Sequence, residues 1–424
     1  MSNMTPPRGM RDLLPKEVAL RDQATAIILD TYRKYGFVRV ETPALENIEN
    51  LTGGEGGENE KLVFKILKRG EKLSSSQAGA ADLADLGLRF DLTVPLARYY
   101  ANNFAALPNP LKAVQIGPVW RAERPQKGRY RQFTQCDIDI IGMEAPLAEV
   151  ELILATSEAL LSLGFSNFQV RINDRRVLQS LAEHCGFRPE AFNSVFITLD
   201  KIDKIGIEGV RTELIGNAQD GEAVGRLLGL LSKMSADQTF DQKRGLLPDP
   251  ADGAVYDALR TVIDTVQAQA NGRFGIVFDP LLVRGMSYYT GQIFEIVSPE
   301  FPSSLAGGGR YDKMIGKFLG REVPACGFSI GFERVISILE AKNPAPADRK
   351  KLALLFEKGD PLTAVTAAAR KLREKGYVVS LQVKRAKLRK QLDELALQGF
   401  SSFSVFDGSG EPAIKGLETP PDTK

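Results

Sequence analysis

The stretch Trp120–Gln135, WRAERPQKGRYRQFTQ, is a strongly basic segment near the middle of the first half of the chain. Strand-like apolar segments flank it at Ala113–Val119 and Ile138–Ile141, and Glu123 is the single acid in its first part. The basic side chains of that part are Arg121, Arg124, Lys127, Arg129 and Arg131. Two strands around a short loop with glycine and proline predict a β-hairpin, here with a cationic loop.

The chemistry of this loop suits an anionic ligand. An arginine guanidinium is planar and grips phosphate or carboxylate through two parallel hydrogen bonds. A solvated, charged hairpin is the alternative interpretation of such a run. Trp120 directly precedes Arg121, and this apolar neighbour favours an Arg121 side chain that points into a site rather than into water.

Composition indicates an ordinary globular protein with more than one domain. The chain has 424 residues, of which 43% are hydrophobic and 25% charged, so two or three domains are expected. The net charge of +2 means that a nucleic-acid-binding surface would have to be local. His184 is the single histidine, which argues against histidine-based triads and multi-histidine metal sites. Catalysis should therefore rest on arginines and carboxylates.

Cysteine content and the N-terminal sequence bear on the compartment. Cys136, Cys185 and Cys326 are few and widely spaced, which is typical of a reducing cytoplasm rather than of a disulfide framework or zinc cluster. The first residues, MSNMTPPRGMRD, lack the apolar core of a signal peptide. We expect a cytoplasmic protein with no membrane-spanning segment.

The central stretch also carries a resemblance to a known family. Arg121-Ala-Glu123, followed by a loop and Phe133, resembles motif 2 of class II aminoacyl-tRNA synthetases. The longer string RAERPQKGRYRQF is similar to the form found in histidyl-tRNA synthetases. The resemblance implies an α/β (α+β) fold: an antiparallel-sheet catalytic domain with a helical insertion, and a small C-terminal α/β domain like those that bind anticodons. The catalytic domain would comprise residues 1–172 and 273–342, and the helical insertion residues 173–272. A linker at 343–348 would lead to the C-terminal domain at 349–424.

Two further segments resemble the remaining class II motifs. A helical pattern from Pro15 to Gly36, followed by a strand ending at Pro43, is similar to motif 1, whose family role is dimerisation. Ala325–Arg334 predicts a strand, a turn at Gly331 and a helix. It resembles motif 3, in which the arginine, here Arg334, holds the terminal phosphate of ATP. A salt-bridged arginine at a helix start is the alternative.

Polar residues at alternate positions suggest a binding site for an ammonium group. In Arg89–Pro95, Asp91 and Thr93 are two apart and are expected on one face of a strand, and Gln135 and Asp139 share a face in the same way. An ordinary surface face would give the same spacing. RFDLTVPLARY is close to a histidyl-tRNA synthetase segment that holds the amino group of the amino acid.

The string LVRGMSYYTG places Arg284 near the adjacent aromatics Tyr288 and Tyr289. A pair of aromatic residues inside a strand is usually core packing. The string nevertheless resembles a motif particular to histidyl-tRNA synthetases, from which it departs at Ser287, where an aspartate is usual. The glycine-rich run Gly307–Asp312 resembles the second histidine-associated motif, and close packing of backbone beneath a ligand accounts for its glycines.

The resemblance implies the formation of a histidyl adenylate from ATP and L-histidine, followed by transfer of the histidyl group to tRNA(His). Arg121 and Arg284 would neutralise the α-phosphate and the substrate carboxylate. The other nucleotide contacts implied are Glu123 on the adenine amino group, Phe133 on the ring and Arg334 on the γ-phosphate. Those implied for histidine are Asp91, Thr93 and Gln135 on its backbone groups, and Asp139 with Tyr288 and Tyr289 at its imidazole. Mg²⁺ is implied by the ATP chemistry, with no ligand singled out, and a homodimer is implied by the family.

Contacts with tRNA are expected in two places. Arg124 and Gln126 lie in the loop that meets the tRNA acceptor end in the family. The C-terminal segment alternates strands and helices, which predicts a small α/β domain with a parallel sheet. The predicted strands are Lys351–Phe356, Val378–Val383 and Ser401–Phe406, and the predicted helices are Pro361–Lys375 and Lys387–Gln398. Its basic run includes Lys384, Arg385 and Lys387, which form either a patch for the phosphate backbone or a solvated helix start.

Two rival functions follow from the same resemblance. A synthetase-like regulatory subunit of ATP phosphoribosyltransferase keeps the fold without aminoacylation, but predicts missing motif arginines and no C-terminal domain. Arg121, Arg284 and Arg334 are all present here. A tRNA-sensing module of a larger regulatory protein is the third possibility, and the lack of a kinase-like segment counts against it.

Overall fold

The computed structural model describes residues 4–52, 61–70, 83–124, 130–234, 237–284, 288–342, 350–408 and 412–417. Gln126, Ser287 and the expected linker at 343–348 lie outside these ranges. The chain divides into two compact units, Met1–Lys342 and Asn343–Lys424, and each is described by itself.

The helices of the first unit are α1 (Pro15–Lys34), α2 (Ile48–Thr52), α3 (Thr93–Asn103), α4 (Leu147–Ser162), α5 (Arg175–Cys185), α6 (Phe192–Leu199), α7 (Ile202–Gly216), α8 (Gly221–Leu231), α9 (Phe240–Arg244), α10 (Val255–Ala270), α11 (Asp312–Leu319) and α12 (Phe332–Ala341). Its strands are β1 (Val38–Arg39), β2 (Leu45–Asn47), β3 (Lys65–Leu67), β4 (Ala84–Leu88), β5 (Leu111–Trp120), β6 (Gln132–Ile141), β7 (Gln169–Asp174), β8 (Gly275–Phe278), β9 (Gln292–Ser298), β10 (Phe301–Arg310) and β11 (Ala325–Ile330).

A large, mostly antiparallel sheet organises this unit. Its strand order is β1-β5-β6-β11-β10-β9-β7-β8. Among the described strands of this sheet, only the terminal pairs β1–β5 and β7–β8 are parallel. A smaller antiparallel sheet has the order β2-β4-β3. Helix α1 packs against α4, and α4 packs against β11 and β6. One face of the large sheet is therefore covered by helices, which leaves the other face for a site.

The predicted hairpin is confirmed. Strands β5 and β6 pair along their whole length, from Leu111 opposite Ile141 to Trp120 opposite Gln132. Because side chains alternate across a strand, Gln135 and Asp139 project from the same side of β6, as predicted. The hairpin thus delivers Arg121 and the polar face of β6 to one region.

The helical segment predicted between the halves of the first unit is present as α5 to α10. It connects β7 to β8, which pair in parallel and therefore need a long crossover. Asn173 and Asp174 belong to β7 rather than to this segment. Asp174 accepts a hydrogen bond from the backbone of Arg176 and so caps the start of α5. His184 is exposed in the last turn of α5, before Gly186.

Two local predictions were wrong. Asp91 and Thr93 do not lie on a strand: Thr93 begins α3, and Oδ1 of Asp91 accepts a hydrogen bond of 3.1 Å from the Val94 backbone. Pro95 stands in the first helical turn, where its missing N–H costs nothing, so the predicted strand is replaced by a helix start. Tyr288 and Tyr289 precede strand β9 instead of lying inside a strand.

The second unit has strands β12 (Lys351–Phe356), β13 (Val378–Val383), β14 (Ser402–Val405) and β15 (Ile414–Gly416), with helices α13 (Leu362–Glu374) and α14 (Leu388–Leu397). The central strand β12 pairs in parallel with β13 and β14, which confirms the predicted parallel sheet. Strand β15, which was not predicted, adds an antiparallel edge beside β14.

Over the part of the chain that the structure describes, none of the helices combines the length and apolar character needed to span a membrane.

Candidate active site

A cavity of about 310 Å³ opens over the large sheet, between β6, β10 and β11 and the segments beside them. Every residue predicted to bind ATP or histidine lines this one cavity: Asp91, Thr93, Arg121, Glu123, Phe133, Gln135, Asp139, Arg284, Tyr288, Tyr289 and Arg334. They come from segments far apart in the chain. A cavity of this size with converging polar groups is typical of a small-molecule site.

The polar face of β6 forms one wall. Gln135, Asp137 and Asp139 are successive residues on that face, and all three line the cavity. Asp139 pairs in register with Gly327 of β11. A Cβ atom at Gly327 would lie 2.2 Å from Oδ1 of Asp139, so the glycine provides the space that the carboxylate occupies.

Three carboxyl groups of the cavity are almost completely buried. Asp91, Asp137 and Asp139 are 2%, 3% and 2% exposed. Burial is the largest cause of their raised pKa values, which reach about 6 for Asp91, about 8 for Asp137 and about 7 for Asp139. The neighbouring Asp139 raises the pKa of Asp137 further. A cation in this cavity would be strongly favoured, because it would compensate the buried negative charge.

Hydrogen bonds satisfy only part of this cluster. Tyr311 donates its hydroxyl to Oδ1 of Asp139 at 2.6 Å, and Ser329 donates to Oδ1 of Asp137. Oδ2 of Asp91, Oε1 of Gln135 and Oδ2 of Asp139 are buried acceptors without a hydrogen-bond partner in the described part of the chain. Since such atoms are costly to leave unpaired, the cavity is suited to a ligand rich in N–H donors.

Tyrosines supply neutral hydroxyls beside these acids. The ring centroids of Tyr288 and Tyr289 are 4.8 Å apart, and those of Tyr288 and Tyr311 are 6.1 Å apart. Burial raises the pKa of all three hydroxyls above the ordinary value, so they stay protonated at neutral pH and remain able to donate.

Arg121 is held at the start of the hairpin loop. Its Nε donates to the Phe90 carbonyl at 3.0 Å, and its guanidinium carbon lies 5.1 Å from the centroid of the Phe133 ring. The contact is a cation–π interaction. It fixes the guanidinium against one face of the ring, next to the buried acids.

Arg284 is held in the cavity by contacts with β9 and β10. Its Nη1 lies 3.3 Å from Oε2 of Glu295, which forms an ion pair with it. A Cβ atom at Gly307 would lie 2.1 Å from Nη2 of Arg284. The guanidinium therefore rests directly on the backbone of the glycine-rich strand, as the close packing predicted for these glycines requires.

The start of α12 brings Arg334 and Glu333 to the cavity. Gly331 precedes the helix and Arg334 stands in its first turn, which confirms the predicted strand–turn–helix. Arg334 donates to the Ser304 carbonyl. Glu333 accepts two hydrogen bonds of 2.8 Å from Arg21 of α1 and one of 3.0 Å from the Thr134 backbone, so it ties α1, β6 and α12 together.

Comparison with known proteins matches this arrangement. A family model described as histidyl-tRNA synthetase matches residues 9–335. The histidine–tRNA ligase of Leifsonia xyli subsp. xyli is 47% identical over 97% of each chain. The chain belongs to the histidyl-tRNA synthetase family. The probable histidine–tRNA ligase of Tropheryma whipplei is 42% identical, over 96% of this chain and 97% of that one.

Solved structures agree with the family assignment. Histidyl-tRNA synthetase from Nostoc sp. PCC 7120 superposes with a TM-score of 0.76 and 26% identity, covering 98% of this chain and 97% of that one. A Bacillus halodurans protein, named as an ATP phosphoribosyltransferase regulatory subunit/histidyl-tRNA synthetase, gives a TM-score of 0.75 at 23% identity, covering 95% and 98%. At that identity the second likeness concerns the fold alone.

Four of the residues predicted to contact tRNA belong to the described part of the chain, Arg124 in the first unit and three in the second. Arg124 is exposed and does not line the cavity. In the second unit, Lys384 pairs with Glu357 at 2.9 Å and Arg385 pairs with Glu394 at 2.7 Å. Lys387 is exposed beside α14. The net positive charge of this run is therefore smaller than its sequence suggests.

Sequence reasoning missed four residues that shape the site: Asp137, Tyr311, Glu295 and Glu333. Asp137 could have been found, because it stands between Gln135 and Asp139 at the alternate spacing already used for them. Tyr311 belongs to the glycine-rich motif but carried no signal of its own. Glu295 and Glu333 act through their ion pairs with Arg284 and Arg21, which sequence spacing does not reveal.

Proposed function

We propose that the chain joins L-histidine to tRNA(His) in two steps, with histidyl adenylate as the intermediate and AMP and diphosphate as products. The observation that carries this proposal is the set of side chains that line one cavity. Unpaired buried acceptors from Asp91, Gln135 and Asp139 face the same space as the guanidinium groups of Arg121, Arg284 and Arg334. The acceptors suit the N–H groups of histidine, and the arginines suit its carboxylate and the phosphates of ATP.

Recognition of histidine is assigned to the acidic side of this set. Asp91, Thr93 and Gln135 receive the α-ammonium group, and Oδ2 of Asp139 accepts a hydrogen bond from an imidazole N–H. Tyr289, with Tyr288 packed against it, donates a hydroxyl to the other ring nitrogen. An amino acid without a two-nitrogen ring would leave a buried carboxylate and phenol unpaired, which penalises it strongly.

ATP is assigned to the hairpin and to α12. The adenine ring stacks on the face of Phe133 that Arg121 does not cover, and Glu123 accepts a hydrogen bond from the adenine amino group. Arg334 holds the γ-phosphate. Arg121 then lies between the adenine and the acids, which is where the α-phosphate has to be for the substrate carboxylate to reach it.

The first step needs alignment and charge neutralisation more than proton transfer. A carboxylate oxygen of histidine forms a bond to the α-phosphorus, the bond from that phosphorus to the bridging oxygen breaks, and diphosphate leaves with the electron pair. Arg121 and Arg284 stabilise the negative charge on the reacting oxygens. In the second step a ribose hydroxyl of the tRNA attacks the carbonyl carbon, and AMP leaves.

Mg²⁺ is placed on the phosphates of ATP. In the described part of the chain, no group of three or more His, Cys, Asp or Glu side chains could hold a metal ion. Glu333, which directly precedes Arg334 in the chain, already accepts hydrogen bonds from Arg21 and from the Thr134 backbone. Mg²⁺ is commonly bound by substrate phosphates with one or two carboxylates, so it fits here as part of the nucleotide substrate.

The partners and arrangement follow the family. We assign the tRNA acceptor end to the hairpin loop with Arg124 and Gln126, and the tRNA backbone to Lys384, Arg385 and Lys387. We assign residues 1–174, which end with β7, together with 273–342 to the catalytic domain, 175–272 to the insertion and 349–424 to the anticodon-binding-like domain. The enzyme is proposed to work as a cytoplasmic homodimer.

Aminoacylation tests this function directly. Purified protein is incubated with ATP, Mg²⁺, radiolabelled histidine and a tRNA(His) transcript, with a tRNA for another amino acid as the control. Histidine should accumulate on tRNA(His) alone. A folded protein that charges neither transcript would instead behave as a regulatory paralogue of the synthetases.

A further inference from the structure

Asp137 is a buried carboxylate of the cavity to which the proposed reaction assigns no role. It stands on β6 between Gln135 and Asp139, and its register partner on β11 is Ser329. Ser329 donates its hydroxyl to Oδ1 of Asp137. Nε2 of Gln135 lies 3.1 Å from Oδ2 and 3.4 Å from Oδ1 of Asp137. Asp137 therefore contacts the residue beside it on the same face of the strand.

The contact determines which way the Gln135 amide faces. An amide has one end that donates and one that accepts, whereas an ionised carboxylate only accepts. When Asp137 is ionised, the NH₂ end of Gln135 must therefore face it. This leaves Oε1, which is buried and without a partner in the described part of the chain, directed away from Asp137 within a residue that lines the cavity.

We propose that Asp137 is a positioning residue for substrate selection: it locks the Gln135 amide so that its carbonyl oxygen accepts from the α-ammonium group of the amino acid. This inference rests on the proposed function. A free amide could turn its NH₂ group towards the ammonium and repel it. Asp137 removes that orientation.

The charge of the ligand reinforces the arrangement. Burial and Asp139 raise the pKa of Asp137, while the hydrogen bond from Ser329 and the charge of Arg121 lower it. An ammonium ion entering the cavity favours the ionised carboxylate, because opposite charges lower the pKa of a carboxyl group. Binding of the ammonium group and locking of the amide therefore support each other.

The first test is Asp137→Asn, measured by histidine-dependent ATP–pyrophosphate exchange. Asparagine keeps the shape but can itself donate or accept, so the Gln135 amide is free to turn. The KM for histidine should rise about tenfold, as for the loss of one hydrogen bond to a charged group. The KM for ATP should stay unchanged, which separates positioning of the amino acid from damage to the whole cavity.

A ligand without the amino group isolates the contact. Imidazolepropionate is the des-amino analogue of histidine and is measured as a competitive inhibitor of the exchange. Its inhibition constant should be the same for the wild type and Asp137→Asn. An equal loss of affinity for histidine and for this analogue would overturn the proposal, because Asp137 would then act on the imidazole or on the fold.

A double-mutant cycle distinguishes positioning from simple charge attraction. Gln135→Met removes the amide at nearly constant volume and leaves Asp137 native, so it serves also if Asp137→Asn folds poorly. If Asp137 acts through Gln135, adding Asp137→Asn to Gln135→Met should raise the KM for histidine no further. Additive effects would show that the Asp137 charge acts on the ammonium directly and would contradict the proposal.

Asp174→Asn is the matched control, because Asp174 is also completely buried but lies outside the cavity, at the start of α5. It should leave the KM for histidine unchanged. If no amino acid supports exchange by the wild type, the proposed function is refuted. A raised KM for histidine in Gln135→Met together with an unchanged KM in Asp137→Asn would refute only the present inference.

Discussion

Tyr311 donates a hydrogen bond of 2.6 Å to Oδ1 of Asp139, and each side chain is only 2% exposed. The two residues are 172 positions apart in the chain. The bond occupies one oxygen of the carboxylate and leaves Oδ2 for a ligand. It also lowers the pKa of Asp139 against the larger effect of burial. Tyr311 therefore orients the carboxylate and favours its ionised form.

Tyr311→Phe tests this relationship. Loss of the hydroxyl leaves Asp139 without its donor and raises its pKa, so the KM for histidine in the exchange reaction should rise about tenfold. Tyr256→Phe is the control, since the Tyr256 hydroxyl donates to the Pro248 carbonyl in the helical segment. It should lower the melting temperature without changing the KM. Equal KM values for wild type and Tyr311→Phe would refute the role of Tyr311.

Gly307→Ala tests the position of Arg284. The new Cβ would overlap the guanidinium group of Arg284, which is the far end of a flexible side chain. The fold should tolerate the change, while Arg284 moves away from its place over the strand. We expect kcat for adenylate formation to fall by about 10²-fold, as when one preorganised charge-stabilising donor is lost.

Gly229→Ala is the matched glycine substitution. Gly229 lies in α8, and an added Cβ would meet nothing within 4 Å. Alanine favours a helix by about 1 kcal/mol over glycine, so this variant should be at least as stable as the wild type and fully active. If both variants keep full kcat, the contact between Gly307 and Arg284 does not matter for catalysis.

How much of this site was visible in the sequence depends on where each contact comes from. The residues predicted to bind ATP or histidine, from Asp91 to Arg334, all line one cavity. They could be singled out in the sequence because each stands in a short string with a distinctive order. The local structure around Asp91 was misjudged, since two polar residues at alternate positions fit a strand as well as the start of a helix. The hydrogen bond from Tyr311 to Asp139 and the ion pair between Glu295 and Arg284 could not be predicted. Both depend on tertiary contacts, which the spacing of residues within a short segment does not reveal.

The same contrast holds for the fold. The long helices and the β5–β6 hairpin follow from hydrophobic periodicity and turn residues, and the predicted parallel strands of the second unit appear with their predicted ends at β12 and β13. The short strand β15 had no such pattern; its three residues are all exposed. Short edge strands bury too little apolar surface to leave a signal in the sequence.

The buried acids predict a pH dependence of stability. In the unfolded chain an aspartate titrates near pH 4 (about 3.9), whereas Asp137 in the folded protein has a pKa of about 8. The folded state thus binds the proton more tightly, so this contribution to stability is fully present below pH 4 and is lost as the pH rises through 8. Asparagine does not titrate.

The melting temperature of Asp137→Asn relative to wild type should therefore increase between pH 5 and about pH 8 and level off at higher pH. Thermal unfolding in one buffer series at constant ionic strength measures it. A difference that is the same at every pH would mean that Asp137 titrates in the folded protein as it does in the unfolded chain.

The basic run of the second unit should act on tRNA alone. Neutralising Lys384, Arg385 and Lys387 should raise the KM for tRNA and reduce its dependence on salt, while histidine-dependent exchange stays unchanged. Because Lys384 and Arg385 already pair with Glu357 and Glu394, the effect should be smaller than for three unpaired cations. Replacing Arg370, Lys371 and Lys375 of α13 and its end removes the same charge elsewhere. If this control variant raises the KM for tRNA equally, the effect of the basic run is one of general charge and not of a specific tRNA contact.

The most direct test of the whole account is amino-acid-dependent ATP–pyrophosphate exchange, measured with the purified protein for each of the twenty amino acids. The account predicts exchange with histidine alone, because only histidine offers an ammonium group and a two-nitrogen ring to the buried acceptors of Asp91, Gln135 and Asp139. Exchange with a different amino acid, or none with histidine from a folded protein that binds ATP, would contradict it.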